Sequence, residues 1–189
     1  RSQQTWAAAK AAGIFDLEMA PVHVKNRKGG MVIIDTDEHP RIESTLESLA
    51  RLKPVFSKDG VVTAANASGI SDGAGCIILA SEAAVKEHNL TPLARLVSYG
   101  ITGVDPTIMG IGPVTAIRQA LARAGGLTID DVDRVEINEA FAAQFLACAK
   151  ELELDMSRTN LNGGAISLGH PLGASGSRIT AHLANEFQR

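Results

Sequence analysis

The chain has 189 residues, of which 45% are hydrophobic, 21% charged and 4% aromatic, and its formal net charge is −3 at pH 7. This composition is typical of a globular protein with a core of Ala, Val, Ile and Leu, and it excludes a disordered chain. The small negative charge gives no electrostatic reason to bind nucleic acid or an anionic membrane. Because no run approaches the roughly 20 apolar residues that span a bilayer, we also expect no membrane insertion.

Both ends of the sequence fall within helical patterns. The opening RSQQTWAAAKAAG indicates the second half of a helix that Gly13 closes, and the final RITAHLANEFQR indicates a helix without a stop signal. The sequence shows no initiator Met and no signal or transit peptide. We therefore expect this sequence to be an excerpt of a longer protein.

The first part of the chain, residues 1–60, has a mixed and polar composition. It predicts two short strands, about Val22–Lys25 and Met31–Asp35, joined by a turn at Gly29 and Gly30. A short helix is expected in ESTLESLARL, before Pro54. From Val61 onward the pattern changes to alternating strands and helices. We therefore place a domain boundary there, which gives a second domain over 61–189.

The second part of the chain alternates strand and helix patterns. Buried strands are expected in CIILAS and ARLVSYGITG, and a short strand in DRVEIN with Val135 and Ile137 facing one way. Helices are expected in GPVTAIRQALARAGG, EAFAAQFLACAKELEL and the final segment. This alternation predicts an α/β layered fold. The two cysteines, Cys76 and Cys148, lie in apolar runs without metal-ligand spacing. They favour a reducing compartment, and we expect both to be small buried residues rather than a disulfide or a zinc site.

The most unusual stretch is LNGGAISLGHPLGASGSR, which places His170 among five glycines. It lacks the lysine of a phosphate-binding loop and the glycine spacing of a dinucleotide fingerprint. His170 also has no ligand partner at metal-binding spacing, so no metal site is expected. Two interpretations stay open: a catalytic base or oxyanion donor approached closely by backbone, and a histidine satisfied within a structural turn.

Two further stretches could contribute to a site. In EINEAFAAQ, Asn138 and Glu139 fall where a strand ends and a helix begins, which is where ligands bind in α/β sheets; Asn138 could equally be a helix N-cap. In TAANASGISDGAG, small and hydroxyl residues suit tight packing or the close approach of an elongated ligand. Neither stretch decides the function by itself.

Taken together and in this order, TAANASGISDGAG, MGIGPV, EINEAFAAQ and NLNGGAISLGHPLGASGSRI resemble the thiolase family. The resemblance runs through essentially the whole chain and implies a layered α-β-α-β-α fold, of which the chain would hold the loop region and most of the C-terminal half. Residues 1–60 would be the end of the N-terminal half with the loop region that contacts coenzyme A. Residues 61–189 would be an incomplete C-terminal domain.

The family cleaves a 3-ketoacyl-CoA with a second CoA into acetyl-CoA and a shortened acyl-CoA, or runs the reverse Claisen condensation. Within it, SQQTWAAAKAAGIFDLEMAPV and FSKDGVVTAANASG look most like members that act in mitochondrial fatty-acid β-oxidation, with members that form acetoacetyl-CoA close behind. The resemblance thus implies coenzyme A as a substrate and no other cofactor. It also implies a homodimer or homotetramer and a place in the mitochondrial matrix, with the cytoplasm as the alternative. A thiolase relative that binds lipid or CoA without catalysis is the rival of a different class.

The resemblance assigns roles by motif. His170 would be the catalytic histidine and Asn138 would hold a water that donates to the substrate oxyanion. CoA and substrate would be contacted by six residues, with a solvated surface as the alternative for the first two: Arg41, Ser48, Ala64, Ser68, Met109 and Phe141. The family's nucleophilic cysteine and its acid/base cysteine have no counterpart here, since Cys76 and Cys148 match neither motif. We therefore expect the chain alone to be inactive.

Overall fold

A computed structural model describes all residues, 1–189. It contains seven α-helices, two strands and two short 3-10 helices. In chain order these elements are α1 (Ser2–Ala11), β1 (Val22–Lys25), β2 (Met31–Ile34), α2 (Leu46–Ala50), α3 (Glu82–Glu87), a 3-10 helix (Pro106–Ile111), α4 (Gly112–Arg123), a second 3-10 helix (Ile129–Asp131), α5 (Ala142–Glu151), α6 (Ala165–Leu168) and α7 (Ser175–Glu186). None of the helices combines the length and apolar character that a membrane span requires.

The predicted hairpin is present and is the chain's only sheet. Strands β1 and β2 pair antiparallel, with Val22 opposite Ile34 and Val24 opposite Val32. The turn is built by Asn26, whose Oδ1 accepts hydrogen bonds from the backbone amides of Lys28 and Gly30 at 2.9 and 3.0 Å. These bonds let the asparagine side chain replace part of the backbone ladder at the turn.

Helices α4 and α5 form where their apolar spacing predicted them. Their facing sides meet in the main core cluster, which consists of Val114, Ile137, Phe145, Cys148 and Leu152. The spacing of Phe145, Cys148 and Leu152 places all three on one face of α5, so the helix buries that face and leaves Leu146 exposed to solvent. Ile137 of this core directly precedes Asn138 in the chain, so the core anchors the segment that carries Asn138.

The prediction of three further strands, two of them buried, was wrong for this chain. The segments CIILAS and ARLVSYGITG form no ladder, and Ile78 and Tyr99 are 87% and 62% exposed. In DRVEIN only one parallel bridge forms, between Val135 and Thr159. A strand exists only where a neighbour supplies the matching amides and carbonyls, and no segment of these 189 residues pairs with the first two in this way. For the same reason Cys76 is exposed, whereas Cys148 is buried as expected.

The N-terminal helix is tied to the C-terminal part of the chain. The Arg1 guanidinium donates to the carbonyls of Met156, Thr159 and Asn160, and α1 packs against α6. At the other end, buried His182 contacts the Glu18 carboxylate at 2.8 Å through Nδ1. These contacts hold the glycine-rich stretch between the first helix and the last one.

Candidate active site

Backbone hydrogen bonds join the three stretches that the sequence singled out. The amide of Ser68 donates to the carbonyl of Ala140 at 3.0 Å, and the amide of Ala142 donates to the carbonyl of Asn66 at 2.8 Å. On the other side, the amide of His170 donates to the carbonyl of Gly69 at 2.8 Å. The segment around Ser68 therefore lies between the loop that carries Asn138 and the loop that carries His170.

The His170 imidazole has two polar neighbours. Its Nδ1 lies 2.6 Å from the hydroxyl of Ser175, the first residue of α7. The Asn138 amide nitrogen lies 3.4 Å from Nδ1 and 3.3 Å from Nε2, although the two residues are 32 positions apart in the chain. Near-equal distances to both ring nitrogens place this amide over the ring face rather than along either lone pair. Nε2 has no other hydrogen-bonding neighbour in the chain.

The Asn138 side chain has one atom left without a partner. Its Oδ1 is buried and makes no hydrogen bond. Buried polar atoms are nearly always paired with protein or water, so an orphan beside a histidine marks a place for a water or a ligand atom. The amide nitrogen faces the ring, so the carbonyl oxygen is the group left free toward that place.

A buried polar network holds Asn138 in position. Next to it, the Glu139 carboxylate is 4% exposed and accepts hydrogen bonds from the Ser2 hydroxyl at 2.6 Å and the Ile166 amide at 3.3 Å. The Ser2 hydroxyl in turn accepts from the amide of Gly164 at 3.1 Å. Glu139 thereby connects α1 and the glycine-rich stretch to the loop of the site, and a network whose members are satisfied keeps its geometry rigid.

An open cavity of about 330 Å³ lies along the segment around Ser68, and neither His170 nor Asn138 is among its lining residues. Its wall includes Gly69, whose carbonyl accepts the His170 amide. The residues that line it come from α1, the loops before and after α2, the segment around Ser68 and α6: Gln3, His39, Arg41, Ser44, Leu52, Ala64, Ala65, Ala67, Ser68, Gly69 and Ile166. Three of the residues predicted to contact CoA are among them.

The predicted CoA contacts are placed as follows. Arg41, Ala64 and Ser68 line the cavity. The Arg41 guanidinium donates through Nη1 to three carbonyls of its own loop, and Nη2 makes no bond within the chain. Ser48 does not line the cavity: its hydroxyl closes a capping box with Thr45 at the start of α2. The assigned roles of these residues stay predictions.

The two residues expected to line the route to the thioester differ in their surroundings. Phe141 is half-buried at the N-terminal end of α5 and packs edge-to-face against Phe56, with ring centroids 6.1 Å apart. Met109 is 68% exposed. Its neighbour Gly110 accepts a hydrogen bond from the Cys148 thiol at 3.2 Å, which fixes the Met109 loop on α5. Their roles also stay predictions.

Neither cysteine serves His170. The Cys148 thiol is committed to the Gly110 carbonyl, and burial raises its pKa, against a smaller lowering effect of the Gln144 hydrogen bond. A buried thiol of raised pKa is a poor nucleophile. Cys76 is exposed and makes no hydrogen bond to the imidazole. No group of three or more His, Cys, Asp or Glu side chains is placed to hold a metal ion.

Behind the site lies a set of partly buried charges. Burial raises the pKa of the Glu136 carboxyl from 4.5 to about 7, against the opposing charges of His182 and Arg178. Burial also lowers the pKa of the Arg178 guanidinium, whose Nε is buried without a partner. None of these groups lines the cavity, and we expect them to affect stability rather than the reacting atoms.

The structure adds residues that sequence reasoning missed. Ser175 contacts the His170 ring, and His39 lines the cavity while donating from Nδ1 to the Ser167 carbonyl at 2.8 Å. Phe56 covers Phe141 from a loop 85 positions earlier in the chain. A histidine two residues before Arg41 is a weak signal for His39. For Ser175 and Phe56 the sequence carries no signal, because their contacts depend on how distant loops fold together.

Comparison with known families identifies the chain. The family profile of the thiolase C-terminal domain matches residues 90–189, and that of the thiolase N-terminal domain matches residues 1–83. The chain belongs to the thiolase family. The prediction of an α/β thiolase-like fold is thereby confirmed, while the proposed boundary after residue 60 stays a prediction.

Particular relatives sharpen the comparison. The mitochondrial 3-ketoacyl-CoA thiolase of Bos taurus is 62% identical over 189 residues, which are 100% of this chain and 47% of the relative. The crystal structure of human mitochondrial 3-ketoacyl-CoA thiolase in complex with CoA matches with a TM-score of 0.93 at 61% identity, over 100% of this chain and 46% of that one. The Bacillus anthracis acetyl-CoA acetyltransferase matches with a TM-score of 0.95 at 50% identity, over 100% and 48%.

This chain spans about half the length of the relatives that it matches. The similarity is therefore continuous over these 189 residues but covers only part of a thiolase. The apolar segments around Ile78 and Tyr99 are exposed and belong to no sheet of this chain.

Proposed function

We propose that this chain is part of a thiolase that transfers acyl groups between CoA thioesters. The reaction is the cleavage of a 3-ketoacyl-CoA by CoA to acetyl-CoA and a shortened acyl-CoA, and it is reversible as a Claisen condensation. The observation that carries the proposal is the contact of His170 with Asn138 at 3.3 Å. The His170 amide is also bonded to Gly69, which lines the same cavity as Ser68 and Arg41.

The His170 imidazole is placed to accept and return a proton. With Nδ1 occupied by Ser175, Nε2 is the nitrogen available to accept the proton of an attacking thiol, which is normally near pKa 8.5. The thiolate so formed is the reactive nucleophile. Once Nε2 has taken up this proton, its N–H can donate to the oxygen of the thioester in the later half of the reaction.

The Asn138 amide supplies the second contact to that oxygen, through a water. Its unpartnered end marks the position where such a water would sit, beside the imidazole. Fixed donors aimed at a developing oxyanion contribute about 3 to 4 kcal/mol each to lowering the barrier. The buried carboxylate of Glu139 and the Asn160 amide keep this loop in place.

Coenzyme A is proposed as a substrate, with no additional cofactor. The human relative is described as a complex with CoA, and the cavity here offers small residues at Ala64 and Ser68 for a narrow chain. Arg41 stands at its rim with Nη2 free, and a guanidinium suits a phosphate. Ser48 would need to give up its capping bonds to reach the nucleotide, which makes it the weaker member of the predicted set.

The thiols of the reaction must come from outside residues 1–189, because Cys76 and Cys148 are not at the site. The exposed apolar segments would be covered by the same remaining part of the protein. By similarity to mitochondrial thiolases, the whole protein is proposed to act in the mitochondrial matrix, rather than in the cytoplasm, as a homodimer or homotetramer.

A second candidate reaction is the formation or cleavage of acetoacetyl-CoA. It is favoured by the similarity to an acetyl-CoA acetyltransferase, at a TM-score of 0.95. A relative that binds CoA or lipid without catalysis is a third candidate. The intact pair of His170 and Asn138 argues against it, since a binding protein has no use for an imidazole poised beside an unpartnered amide.

The test is thiolysis by the full-length protein of acetoacetyl-CoA against longer 3-ketoacyl-CoAs. Higher kcat/KM on the longer substrates supports the β-oxidation assignment, and preference for acetoacetyl-CoA supports the second candidate. The His170→Ala variant should lose activity by at least about 1000-fold. The control is His88→Ala, since His88 caps the exposed helix α3 far from the site in sequence. Near-normal rates for His170→Ala would overturn the proposal.

A further inference from the structure

The hydrogen bond between Ser175 and His170 is short and shielded from water. Ser175 is 4% exposed, and its Oγ lies 2.6 Å from the His170 Nδ1. Both residues belong to one tight turn, in which the amides of Ala174 and Ser175 donate to the Pro171 carbonyl at 2.7 and 3.0 Å. The serine hydroxyl is therefore held in place beside the ring by the backbone.

One arrangement of the protons satisfies the hydroxyl, the imidazole and the Pro171 carbonyl together. The Ser175 hydroxyl has one proton, and the Pro171 carbonyl, which can only accept, lies 3.3 Å from Oγ. With the proton directed to that carbonyl, Oγ accepts a hydrogen bond from Nδ1–H of His170. The Asn138 amide lies over the ring face and does not compete for Nδ1 along its lone pair.

We propose that Ser175 is a positioning residue that holds His170 in the Nδ1–H tautomer and so leaves the Nε2 lone pair available to the reacting thiol. The inference rests on the proposed thiolase function and adds a residue to its catalytic arrangement. Orientation of a base by a third group is a general feature of nucleophile–base pairs. Here the third group is a neutral hydroxyl instead of a carboxylate.

The proton transfer balances with this arrangement. The thiol proton moves to Nε2, which leaves a thiolate and an imidazolium. The Nδ1–H of the imidazolium stays bonded to the Ser175 oxygen, so the ring does not turn during the transfer. Because the hydroxyl carries no charge, the proton on Nε2 remains easy to return to the departing group in the reverse step.

The experiment compares kcat and KM for thiolysis in variants of the full-length protein. Ser175→Ala should lower kcat by about tenfold, because one hydrogen bond is lost in the transition state. The KM for CoA should stay within about twofold of the wild-type value. Threonine and valine have the same shape, so Ser175→Thr should keep a kcat well above that of Ser175→Val. The pH profile of kcat/KM should shift in the alanine and valine variants alone.

The matched control is Ser177→Ala. Ser177 lies on the same turn of α7, and its hydroxyl donates to the Ala174 carbonyl at 2.8 Å without touching the imidazole. An unchanged kcat in Ser175→Ala overturns the inference, and so does an equal kcat in the threonine and valine variants. In either case, thiolysis by the wild-type protein still supports the proposed function. Absence of thiolysis in the wild-type protein overturns both.

Discussion

Asn160 holds the backbone of Ile137 with both ends of its side chain. Its Oδ1 accepts from the Ile137 amide at 2.9 Å and its Nδ2 donates to the Ile137 carbonyl at 2.8 Å. Asn160 is 1% exposed and has a φ of 45°, which asparagine tolerates better than most residues. The side chain thus replaces a neighbouring strand for the residue that precedes Asn138.

The substitution Asn160→Asp should destabilise the protein by about 3 kcal/mol. A carboxylate keeps the acceptor for the Ile137 amide but sets a buried negative charge against the Ile137 carbonyl. The measurement is the urea-unfolding free energy at pH 7. Asn89→Asp is the matched control, since Asn89 has a similar φ of 50° and is exposed. An equal loss in both variants would contradict the buried role of Asn160.

A second prediction concerns Glu136 and pH. Its pKa is about 7 in the folded protein against 4.5 for the free carboxyl, because burial disfavours the charge. A raised folded pKa means that its stabilising contribution is complete below pH 4.5 and is lost as pH rises through 7. Glu136→Gln should therefore stabilise the protein above pH 7, by up to about 3 kcal/mol, and change little near pH 4.

The measurement for Glu136→Gln is the unfolding free energy as a function of pH. Glu47→Gln, on the exposed face of α2, is the control and should show no such dependence. If the two variants gave parallel curves, the carboxyl of Glu136 would not be desolvated in the folded protein.

The third prediction concerns Gly69, which packs against the ring of His39. A Cβ on Gly69 would lie 2.1 Å from His39 Nε2, and this ring is held by its bond to the Ser167 carbonyl. Gly69→Ala should therefore displace the segment around Ser68, in which the Gly69 carbonyl accepts the His170 amide. A shift of about 1 Å at a catalytic group costs on the order of 100-fold in rate, so kcat/KM of the full-length protein should fall by that order.

Gly103→Ala is the matched control for Gly69→Ala. An added Cβ at Gly103 meets no atom within 4 Å, and no loss of activity is expected. If Gly69→Ala were as active as Gly103→Ala, His39 would have moved aside and would not fix the loop.

The fourth prediction concerns the chain by itself. Purified residues 1–189 should show no thiolysis of acetoacetyl-CoA, because neither thiol is at His170 and the apolar segments around Ile78 and Tyr99 lack partner strands. The assay should be run beside the full-length protein at equal molar concentration. Detectable turnover by the isolated chain would show that the site is complete without the remaining part.

Much of the candidate site followed from short motifs. His170, Asn138 and Ser68 could be singled out because glycine-rich and small-residue runs have few structural uses, and the family resemblance then gave each a role. Ser48 shows that a residue can match a family motif and still have a local structural role. Its hydroxyl closes a capping box with Thr45 at the start of α2. Ser175 was overlooked since its bond to His170 exists only once the turn at Pro171 is closed.

The sequence by itself determined the local elements whose signals lie within one stretch: the hairpin around Asn26, the apolar faces of α4 and α5, and the motifs that mark a thiolase. Only the tertiary structure decided which residues meet. Strand pairing depends on distant partners, so the strand signal around Ile78 produced no sheet here. The contact of Asn138 with His170, across 32 positions, depends on buried bonds from Glu139 and Asn160 that no local pattern encodes.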